Sequence, residues 1–484
     1  MISAKMMGVV DENAEALGVP RKQLMESSGN AVARVVRDVA ESGSSVTLVC
    51  GRGNNGGDAF AAARFLEGYD VRVLLLGREE SITTDIAREN WAALKETDID
   101  AEAVRDSRDL DLGDPDVVVD AMLGTGITGD LREPEATAAG SINELDATVV
   151  AVDVPSGVDA DTGEAAGNAV DADHVVTFHD EKPGLSALDA DVRVADIGIP
   201  EAAERFTGPG YLSLLSRDPN SHKGQNGDVL VVGGGPFTGA PALSTEAAFR
   251  AGADLVNTAT PESVKTVLQT YGEDLMVRGL PGDHLKPEHV DELLDLAEGK
   301  HAVAIGPGLG TDEETLAAVR QFFEQFDGNA VVDADALHAI PDVDTDADLV
   351  CTPNGHELEE MGCDAADERD QRAEDVRGFA EELGHVVVAK GPEDIVSDGD
   401  RVVVNRVGNS GMTVGGTGDI LTGITASFRA TLDPFTAAVA ATWVNGRAGD
   451  LAYEKRGNGF VASDMVEEVP YAMRRDTDLA DDTR

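Results

Sequence analysis

Residues 46–66 read VTLVCGRGNNGGDAFAAARFL, and this stretch decides the fold class. The apolar run 46–50 predicts a buried strand, the loop Gly51–Asp58 is rich in turn residues, and a helical pattern covers 59–66. A hairpin turn at the Asn-Gly pair is the alternative, but the helical pattern after it disfavours a second strand. A strand, a glycine loop and a helix in this order predict a parallel α/β sheet covered by helices.

The same alternation continues along the chain in two sets, which predicts two α/β domains. The further strands of the first set are expected at 71–76, 117–120, 149–153 and 174–178. The polar segment 216–227 is rich in turn formers and predicts a linker. The second set has strands at 228–232, 302–305, 330–332, 349–351 and 385–389, a hairpin over 395–404, and closing helices at 420–428 and 435–448. We expect domains at 1–215 and 216–475 and a disordered acidic tail at 476–484.

The charge of the chain excludes several classes of partner. Its 484 residues carry 91 Asp and Glu against 38 Lys and Arg, a net charge of -53. Such a charge disfavours binding to nucleic acid or to an anionic membrane surface. Because this much like charge repels itself unless salt screens it, we expect a halophilic protein. Three cysteines without CxxC spacing favour a reducing compartment, and no apolar run approaches the roughly 18 to 20 residues of a membrane span, so we expect a cytoplasmic protein.

Two further loops follow strands of the first set. Asp120 ends a valine-rich strand before Gly124-Thr-Gly126, and Asp153 ends the next strand before Val-Pro-Ser156-Gly157. Taken alone, each aspartate is more often a turn or helix cap. The strand ends of a doubly wound sheet line one crevice, however, so the three loops together predict a ligand site.

These motifs, with Gly18-Val-Pro20, Leu24-Met-Glu26 and Gly29-Asn-Ala-Val32, resemble the NAD(P)H-hydrate epimerase family. The resemblance covers residues 1 to about 215 and implies a doubly wound, Rossmann-like three-layer sandwich that binds hydrated nicotinamide dinucleotide and a potassium ion. It implies potassium ligands at Asn55, Asp120 and Ser156, whose amide, carboxylate and hydroxyl oxygens suit a hard cation, although Asn55 and Ser156 could equally be turn residues. Asp153 is the expected acid/base group that inverts the hydrated ring carbon. The implied substrate-binding residues are Asn54, Asn55, Gly56, Gly57, Asp58, Gly124, Thr125, Gly126, Ile127, Thr128, Gly129, Asp130 and Asp153.

The second half has its own glycine-rich helix start, which reads GNSGMTVGGTGD over residues 408–419. Successive N–H groups at such a start form an anion hole, and a carboxylate there can take a proton from a hydroxyl aimed at phosphorus. An aspartate that only complements the helix dipole is the alternative for Asp419, but a cap does not need this many glycines. Lys390, at a strand end in a lysine-poor chain, predicts either a phosphate contact or a solvated side chain.

These residues, with Ser221-His-Lys-Gly224, Gly306-Pro-Gly-Leu-Gly310 and Thr352-Pro353, resemble the ADP-dependent NAD(P)H-hydrate dehydratase family. The resemblance covers residues 216 to about 470 and implies a ribokinase-like α/β fold. The family usually has histidine where this chain has Asn354, and asparagine cannot titrate near neutral pH. The implied nucleotide contacts are Lys390, Gly391, Pro392, Glu393, Asp394 and Gly418, and the implied substrate contacts are Ala240, Gly308, Asn354 and Asp419.

Together the two resemblances imply a bifunctional NAD(P)H-hydrate repair enzyme. The first half would interconvert the R and S hydrates, and the second would dehydrate the S form with ADP as co-substrate, giving AMP and phosphate. Asp419 is the expected base, and magnesium is expected from phosphoryl-transfer chemistry. A small-alcohol or vitamin kinase is the alternative for the second half, and a non-catalytic scaffold for the first. We expect NAD(P)H hydrates, ADP and AMP as small-molecule partners, and a homo-oligomer.

Overall fold

The computed structural model describes residues 1–126 and 129–474. By their contacts the residues divide into two compact units, Met1–Ala203 and Glu204–Arg484, and each unit has its own sheet. The domain limits 1–215 and 216–475 concern activity and stay predictions, and the predicted tail at 476–484 lies outside the described residues. Among the described residues, every helix is too short or too polar to cross a bilayer.

Within the described part of the first unit, seven parallel strands form one sheet in the order β3-β2-β1-β4-β5-β6-β7. The order reverses between β1 and β4, which is the topological switch point where open α/β sheets bind ligands. The strands are β1 Ser45–Cys50, β2 Asp70–Leu76, β3 Asp100–Val104, β4 Val117–Ala121, β5 Thr148–Val152, β6 His174–Phe178 and β7 Asp191–Ala195.

Helices cover both faces of this sheet. Successive residues of a strand point to opposite faces, so Leu48 and Cys50 enter the core under α1–α4, whereas Val49 enters the core under α5. This arrangement confirms the doubly wound, three-layer prediction. The helices are α1 Ala4–Ala16, α2 Arg21–Val39, α3 Asn54–Phe65, α4 Asp85–Lys95, α5 Glu135–Asn143 and α6 Ala202–Arg205.

Helix α3 begins at Asn54 and not near Ala59 as the sequence pattern suggested. Its early start depends on glycines, because a Cβ on Gly56 would lie 2.1 Å from the carbonyl oxygen of Gly51. Gly51, Gly53 and Gly56 also have the GxGxxG spacing of dinucleotide-binding turns, a signal of an early helix start that helical periodicity alone does not detect. The loop therefore ends at Gly53, and Asn54 and the residues that follow it form the first turns of the helix.

The sequence pattern misses the two edge strands, β3 and β7. Both are partly exposed, with burial that never runs through the whole strand. Their sequences, DAEAV and DVRVA, alternate charged and apolar residues, as is common where an edge faces solvent. No continuous apolar run marks them, so the buried-strand signal used for the central strands does not apply.

Within the described part of the second unit, nine strands form a sheet in the order β10-β9-β8-β11-β12-β13-β14-β15-β16. The strands β8 to β14 are parallel, and β15 and β16 add the predicted antiparallel hairpin, which is confirmed. The strands are β8 Asp228–Val232, β9 Leu255–Pro261, β10 Met276–Leu280, β11 Ala302–Ile305, β12 Asn329–Val332, β13 Asp348–Cys351, β14 Val386–Ala389, β15 Asp394–Ser397 and β16 Val402–Asn405.

The helices of the second unit position its glycine-rich segments at the ends of these strands. Helix α13 packs against α7, α14 and the strands β11 and β12, next to the switch between β8 and β11. Both closing helices are longer than predicted. The helices are α7 Gly239–Arg250, α8 Glu262–Gln269, α9 Val290–Ala297, α10 Glu313–Phe323, α11 Gly355–Glu360, α12 Arg369–Leu383, α13 Thr417–Arg429, α14 Pro434–Arg456 and α15 Ala462–Ala472.

Candidate functional sites

The first unit has a cavity of about 590 Å³ at the switch between β1 and β4, here called the switch-point cavity. The predicted residues that line it are Asn54, Asn55, Asp58, Gly124, Thr125, Gly126 and Asp153. Gly56 and Gly57 are buried in the first turns of α3 behind it. Gly129 and Asp130 do not line it, and Asp130 lies against Gly167. Ile127 and Thr128 lie outside the described residues.

The three predicted potassium ligands form one hydrogen-bonded group with Leu123, in the loop after β4: Asn55 and Ser156 bond to Leu123, and Asp120 bonds to Ser156. The carboxylate of Asp120 accepts hydrogen bonds from the hydroxyl of Ser156 at 2.7 Å and from its backbone N–H at 2.8 Å. The backbone N–H of Leu123 donates to Oγ of Ser156 at 3.0 Å, and Nδ2 of Asn55 donates to the Leu123 carbonyl at 2.9 Å. The start of α3 and the loops after β4 and β5 therefore contribute residues to one hydrogen-bonded group.

The electrostatics of Asp120 suit a cation. Its side chain is fully buried, and burial raises its pKa to about 6 although hydrogen bonds from Ser156 and Met122 lower it. Among the described residues, no Lys, Arg or His forms an ion pair with Asp120. A buried carboxylate without a cationic side chain, beside hydroxyl, amide and carbonyl oxygens, is a donor set that a hard monovalent ion fits.

Asp153 lines the same cavity and has an unusual backbone, with a left-handed φ of 66° directly after β5. Its Oδ1 accepts a hydrogen bond from Oγ1 of Thr177 at 3.1 Å and an ion pair from Nζ of Lys182 at 2.9 Å. Lys182 was not predicted from the sequence. Its signal was available, because lysine is rare in this chain and Lys182 follows a strand of the sheet, the same reasoning that selected Lys390.

Two more carboxyl groups face this cavity, those of Asp11 and Asp58. Burial raises the pKa of Asp58 well above its usual value, and the charges of Asp153 and Asp11 raise it further. Burial also raises the pKa of Asp11 to about 6, against the opposing charge of Arg21. Asp11 is missed by motif reading, but it interrupts the buried stripe Met7, Val10 and Ala14 of α1, and an acid in such a stripe is a usable signal.

In the second unit, the glycine-rich segment forms the start of α13, and Gly416 is its N-cap with φ 105°. A Cβ on Gly416 would lie 2.7 Å from both Ala462 Cβ and Leu243 Cδ1, so the close approach requires glycine. Asp419 lies in the first turn of this helix. Burial raises its pKa to about 7; the nearby charge of Asp333 raises it further, and that of Lys390 lowers it. A base poised near neutral pH is what proton transfer requires.

Lys390 lies beside this helix start in an acidic cluster. Its Nζ is 2.7 Å from Oδ1 of Asp333 and 3.8 Å from Glu357, and a Cβ on Gly418 would lie 3.2 Å from it. Burial lowers the pKa of Lys390, but the charges of Asp333, Glu357 and Asp419 outweigh burial and raise it. The ammonium therefore stays charged next to Gly418, where an anionic ligand would meet the helix N-terminus. Asp333 and Glu357 were not predicted from the sequence as site residues.

The remaining residues predicted to bind the nucleotide belong to a segment that two arginines stabilise by hydrogen bonds. Arg369 pairs with the carboxylate of Glu393, and Arg372 donates to the carbonyls of Glu393 and Lys390. Asp394 accepts hydrogen bonds from the N–H of Gly391 at 3.0 Å and from Asn405. Pro392 lies between Gly391 and Glu393 in this loop. The segment 390–394 thus has a defined shape, and it offers backbone groups more than free side chains.

The predicted substrate contacts of the second unit lie around the same strand ends. Ala240 is in the first turn of α7, one turn before Ser244, whose hydroxyl donates to the carbonyl of Asp419 at 2.8 Å. Gly308, with φ 71°, lies against the backbone of Phe237 at the start of α7. Asn354 is the N-cap of α11, where its Oδ1 accepts hydrogen bonds from two backbone N–H groups. Its amide nitrogen is the group left for a ligand.

Comparisons with known proteins agree for both units. A family model described as NAD(P)H-hydrate dehydratase matches residues 229–471, and one described as YjeF-related protein N-terminus matches residues 21–184. The chain is 43% identical over 489 residues to the bifunctional NAD(P)H-hydrate repair enzyme Nnr of Methanothermobacter thermautotrophicus, covering 96% of this chain and 94% of that protein. It is 44% identical over 494 residues to the protein of the same name from Pyrobaculum aerophilum, covering 98% of each.

Among solved structures, a ribokinase-like superfamily protein from Enterococcus faecalis matches with a TM-score of 0.50 and 23% identity, over 57% of this chain and 96% of that chain. This likeness concerns the fold alone, and it confirms the ribokinase-like prediction. The family assignment rests on the sequence identity over nearly the whole length and on a family match in each half. The chain belongs to the family of bifunctional NAD(P)H-hydrate repair enzymes.

Proposed function

We propose that each unit performs one of the two repair reactions at the carboxyl edge of its own sheet. The first unit interconverts the R and S hydrates of NADH and NADPH in the switch-point cavity. The second unit dehydrates the S form at the start of α13, using ADP. The observation that carries this proposal is that each edge has a candidate catalytic base beside a lysine, Asp153 in the first unit and Asp419 in the second.

For epimerisation, Asp153 is the base for the water that adds to the hydrated ring carbon. This carbon is bonded to the ring nitrogen, whose lone pair can expel the hydroxyl group once the hydroxyl oxygen is protonated. Water then adds to the opposite face and gives up a proton, so one C–O bond breaks and one forms. Burial raises the pKa of Asp58 well above its usual value, which favours its protonated form, so Asp58 can protonate the departing hydroxyl. Asp153, paired with Lys182, accepts the proton of the attacking water.

A potassium ion would be held by Asn55, Asp120 and Ser156. The ion would supply the positive charge that Asp120 lacks among its neighbours. The chain's own residues do the rest: the backbone groups of Asn54 and of Gly124 to Gly126 hold the substrate at the cavity wall. Loops that are tied together at Leu123 keep Asp153 and the α3 N-terminus on the same side of the substrate.

For dehydration, Asp419 takes the proton of the ring hydroxyl, and the hydroxyl oxygen attacks the β-phosphorus of ADP while the bond to AMP breaks. The phosphate ester then loses inorganic phosphate and a proton from the neighbouring carbon, which restores the dihydronicotinamide ring. Backbone N–H groups at the start of α13 and the ammonium of Lys390 stabilise the negative charge that moves in this step. Ala240, Gly308 and the amide of Asn354 shape the substrate side.

Magnesium, when bound, would neutralise part of the charge of the ADP phosphates. The carboxylates of Glu357 and Asp335, which both raise the pKa of Asp419, face the same region and are suitable oxygen donors. Magnesium keeps most of its ligands from water and phosphate, so one or two carboxylates are sufficient.

A pair of matched variants tests the division of labour. Asp153→Asn should abolish conversion of the R hydrate to the S hydrate, which chromatography measures in the absence of ADP. The same variant should keep the ADP-dependent reaction, which is measured as recovery of dihydronicotinamide absorbance from the S hydrate. Asp419→Asn should do the reverse, so each variant is the control for the other. If wild-type enzyme with ADP produced a stable phosphorylated alcohol and no AMP, the second half would be a kinase. If Asp153→Asn kept the full rate, the first half would be a scaffold or another residue would act.

Two further properties are part of the proposal. A cytoplasmic location is consistent with buried free thiols at Cys50, Cys351 and Cys363. A homo-oligomer is the expected state in solution, and light scattering in molar KCl measures it directly, with a mass near 50.5 kDa contradicting it.

A further inference from the structure

Lys182 takes no direct part in the mechanism above, although it is the most buried cation beside the cavity. Its side chain is 0% exposed. Its Nζ donates to the carbonyl of Phe178 at 2.8 Å, to the carbonyl of Asp180 at 3.3 Å and to Oδ1 of Asp153 at 2.9 Å. These acceptors use all three ammonium protons, so Lys182 has none left to offer a substrate.

Full burial of a lysine is rare and unfavourable unless its charge is paired. Asp153 is the one carboxylate that forms an ion pair with Lys182 among the described residues. The ion pair also holds the carboxylate in place, because Nζ of Lys182 lies 2.9 Å from Oδ1 of Asp153. The chain has very few lysines, and it keeps one here, where replacement by a neutral side chain would leave Asp153 without a cation.

The two carboxylate oxygens of Asp153 have different contacts. Its backbone N–H donates to the carbonyl of Val176 at 2.8 Å, which helps to hold the left-handed conformation that non-glycine residues disfavour. Oδ1 accepts hydrogen bonds from both Thr177 and Lys182. No hydrogen bond from any described residue reaches Oδ2, which is therefore the oxygen free to meet a ligand in the cavity.

We infer that Lys182 is a positioning residue of the epimerisation reaction: with Thr177 it fixes Oδ1 of Asp153 and leaves Oδ2 to exchange the proton. The inference rests on the proposed role of Asp153. It assigns Lys182 an effect on turnover that a lysine bracing only the turn after β6 would lack, since such a brace would not fix the carboxylate of Asp153.

The charged groups around this pair come from four elements. Asp11 of α1 and Asp58 of α3 are coupled to Asp153, and Arg21 of α2 and His179 after β6 are coupled to Asp11. Because burial raises the pKa of Asp11 to about 6, Asp11 changes charge near that pH. All rates are therefore compared at a single pH of about 8, where Asp11 stays ionised.

The experiment uses the full-length chain with R hydrate, without ADP, and follows the S hydrate by chromatography. Lys182→Met should lower kcat by about 30-fold with little change in KM, since general acid–base catalysis contributes on the order of 10²–10⁴ and positioning is part of it. Thr177→Val should lower kcat by a smaller factor, about 3- to 10-fold. Lys22→Met, at an exposed lysine paired with Glu89, is the matched control and should change nothing.

Each outcome decides between positioning and bracing. A loss in Lys182→Met that appears in KM and not in kcat, or an unchanged kcat, overturns the inference. If Lys182→Met does not fold by circular dichroism, Thr177→Val carries the test, and an unchanged kcat there overturns it. Lys182→Ala supplies a second measurement, because ethylammonium should restore turnover where ethanol does not. If wild-type protein interconverts the hydrates no faster than buffer, the proposed function itself fails. The control reaction with S hydrate and ADP distinguishes this outcome from loss of fold.

Discussion

The start of α13 allows one prediction to be worked from geometry alone, the effect of Gly416→Ala. At φ 105°, an alanine would pay the left-handed penalty of about 1–2 kcal/mol. Its Cβ would also lie 2.7 Å from Leu243 Cδ1 and from Ala462 Cβ. Leu243 can rotate away, but the Cβ of Ala462 is fixed to the backbone, so overpacking adds about 1–3 kcal/mol. The variant should therefore be destabilised by about 2–5 kcal/mol in the second unit.

The same change should affect one activity and not the other. To relieve the contact, the first turn of α13 must shift, and Asp419 shifts with it. A misplacement of about 1 Å can cost on the order of 100-fold in rate, so ADP-dependent dehydration of the S hydrate should fall by 10- to 100-fold. Interconversion of the hydrates, measured without ADP, should stay within about twofold of wild type, because mutations at distant, independent sites act separately.

Gly415→Ala is the matched control, since a Cβ there would meet no heavy atom within 4 Å and its φ is not left-handed. Urea unfolding and the two activities would be measured for both variants. If Gly416→Ala matched Gly415→Ala in both stability and dehydration rate, the close approach of α13 to α7 and α15 would not control the site. Equal loss of both activities would equally refute the reasoning.

Four further predictions follow from charge. Dehydration should rise about tenfold per pH unit up to pH about 7 and then level, because the base must be ionised and burial raises the pKa of Asp419 to about 7. Asp419→Asn should remove the activity yet raise the melting temperature at pH 8. The pKa of Asp419 is higher in the folded than in the unfolded state, so its contribution to stability is lost as pH rises through 7. A lower melting temperature of the variant at pH 8 would contradict this. Replacing potassium by sodium at constant ionic strength should slow hydrate interconversion, and Asp120→Asn should be insensitive to the exchange; a variant that kept the wild-type potassium dependence would exclude Asp120 as a ligand. The midpoint of urea unfolding should rise steeply with KCl because the net charge is -53, and equal midpoints at low and molar salt would refute the halophilic prediction.

Much of the fold was predictable because the central strands are continuous apolar runs bounded by glycine. Strand β4, for example, has five buried residues in succession, and Asp120 among them is the exception that marks a site. The edge strands β3 and β7 were not predictable in this way, because charged residues alternate with apolar ones where one side of a strand faces water. The first turn of α3 was misjudged because its glycines are unfavourable in a helix by propensity, and close packing against Gly51 decides the matter.

The site divides along similar lines. Asp120 and Asp153 were selected because loops after parallel strands reach the same edge whatever their separation in the chain. Asp419 was selected by its glycine-rich helix start, and Asn55 by the family resemblance. Only tertiary structure decides which of these groups are charged and which atoms are free. Lys182 lies 29 positions after Asp153 and shares no motif with it, yet the fold buries its ammonium 2.9 Å from that carboxylate. The physical reason is that pKa values and hydrogen bonds depend on burial and on neighbours in space, and neither quantity can be derived from spacing along the chain.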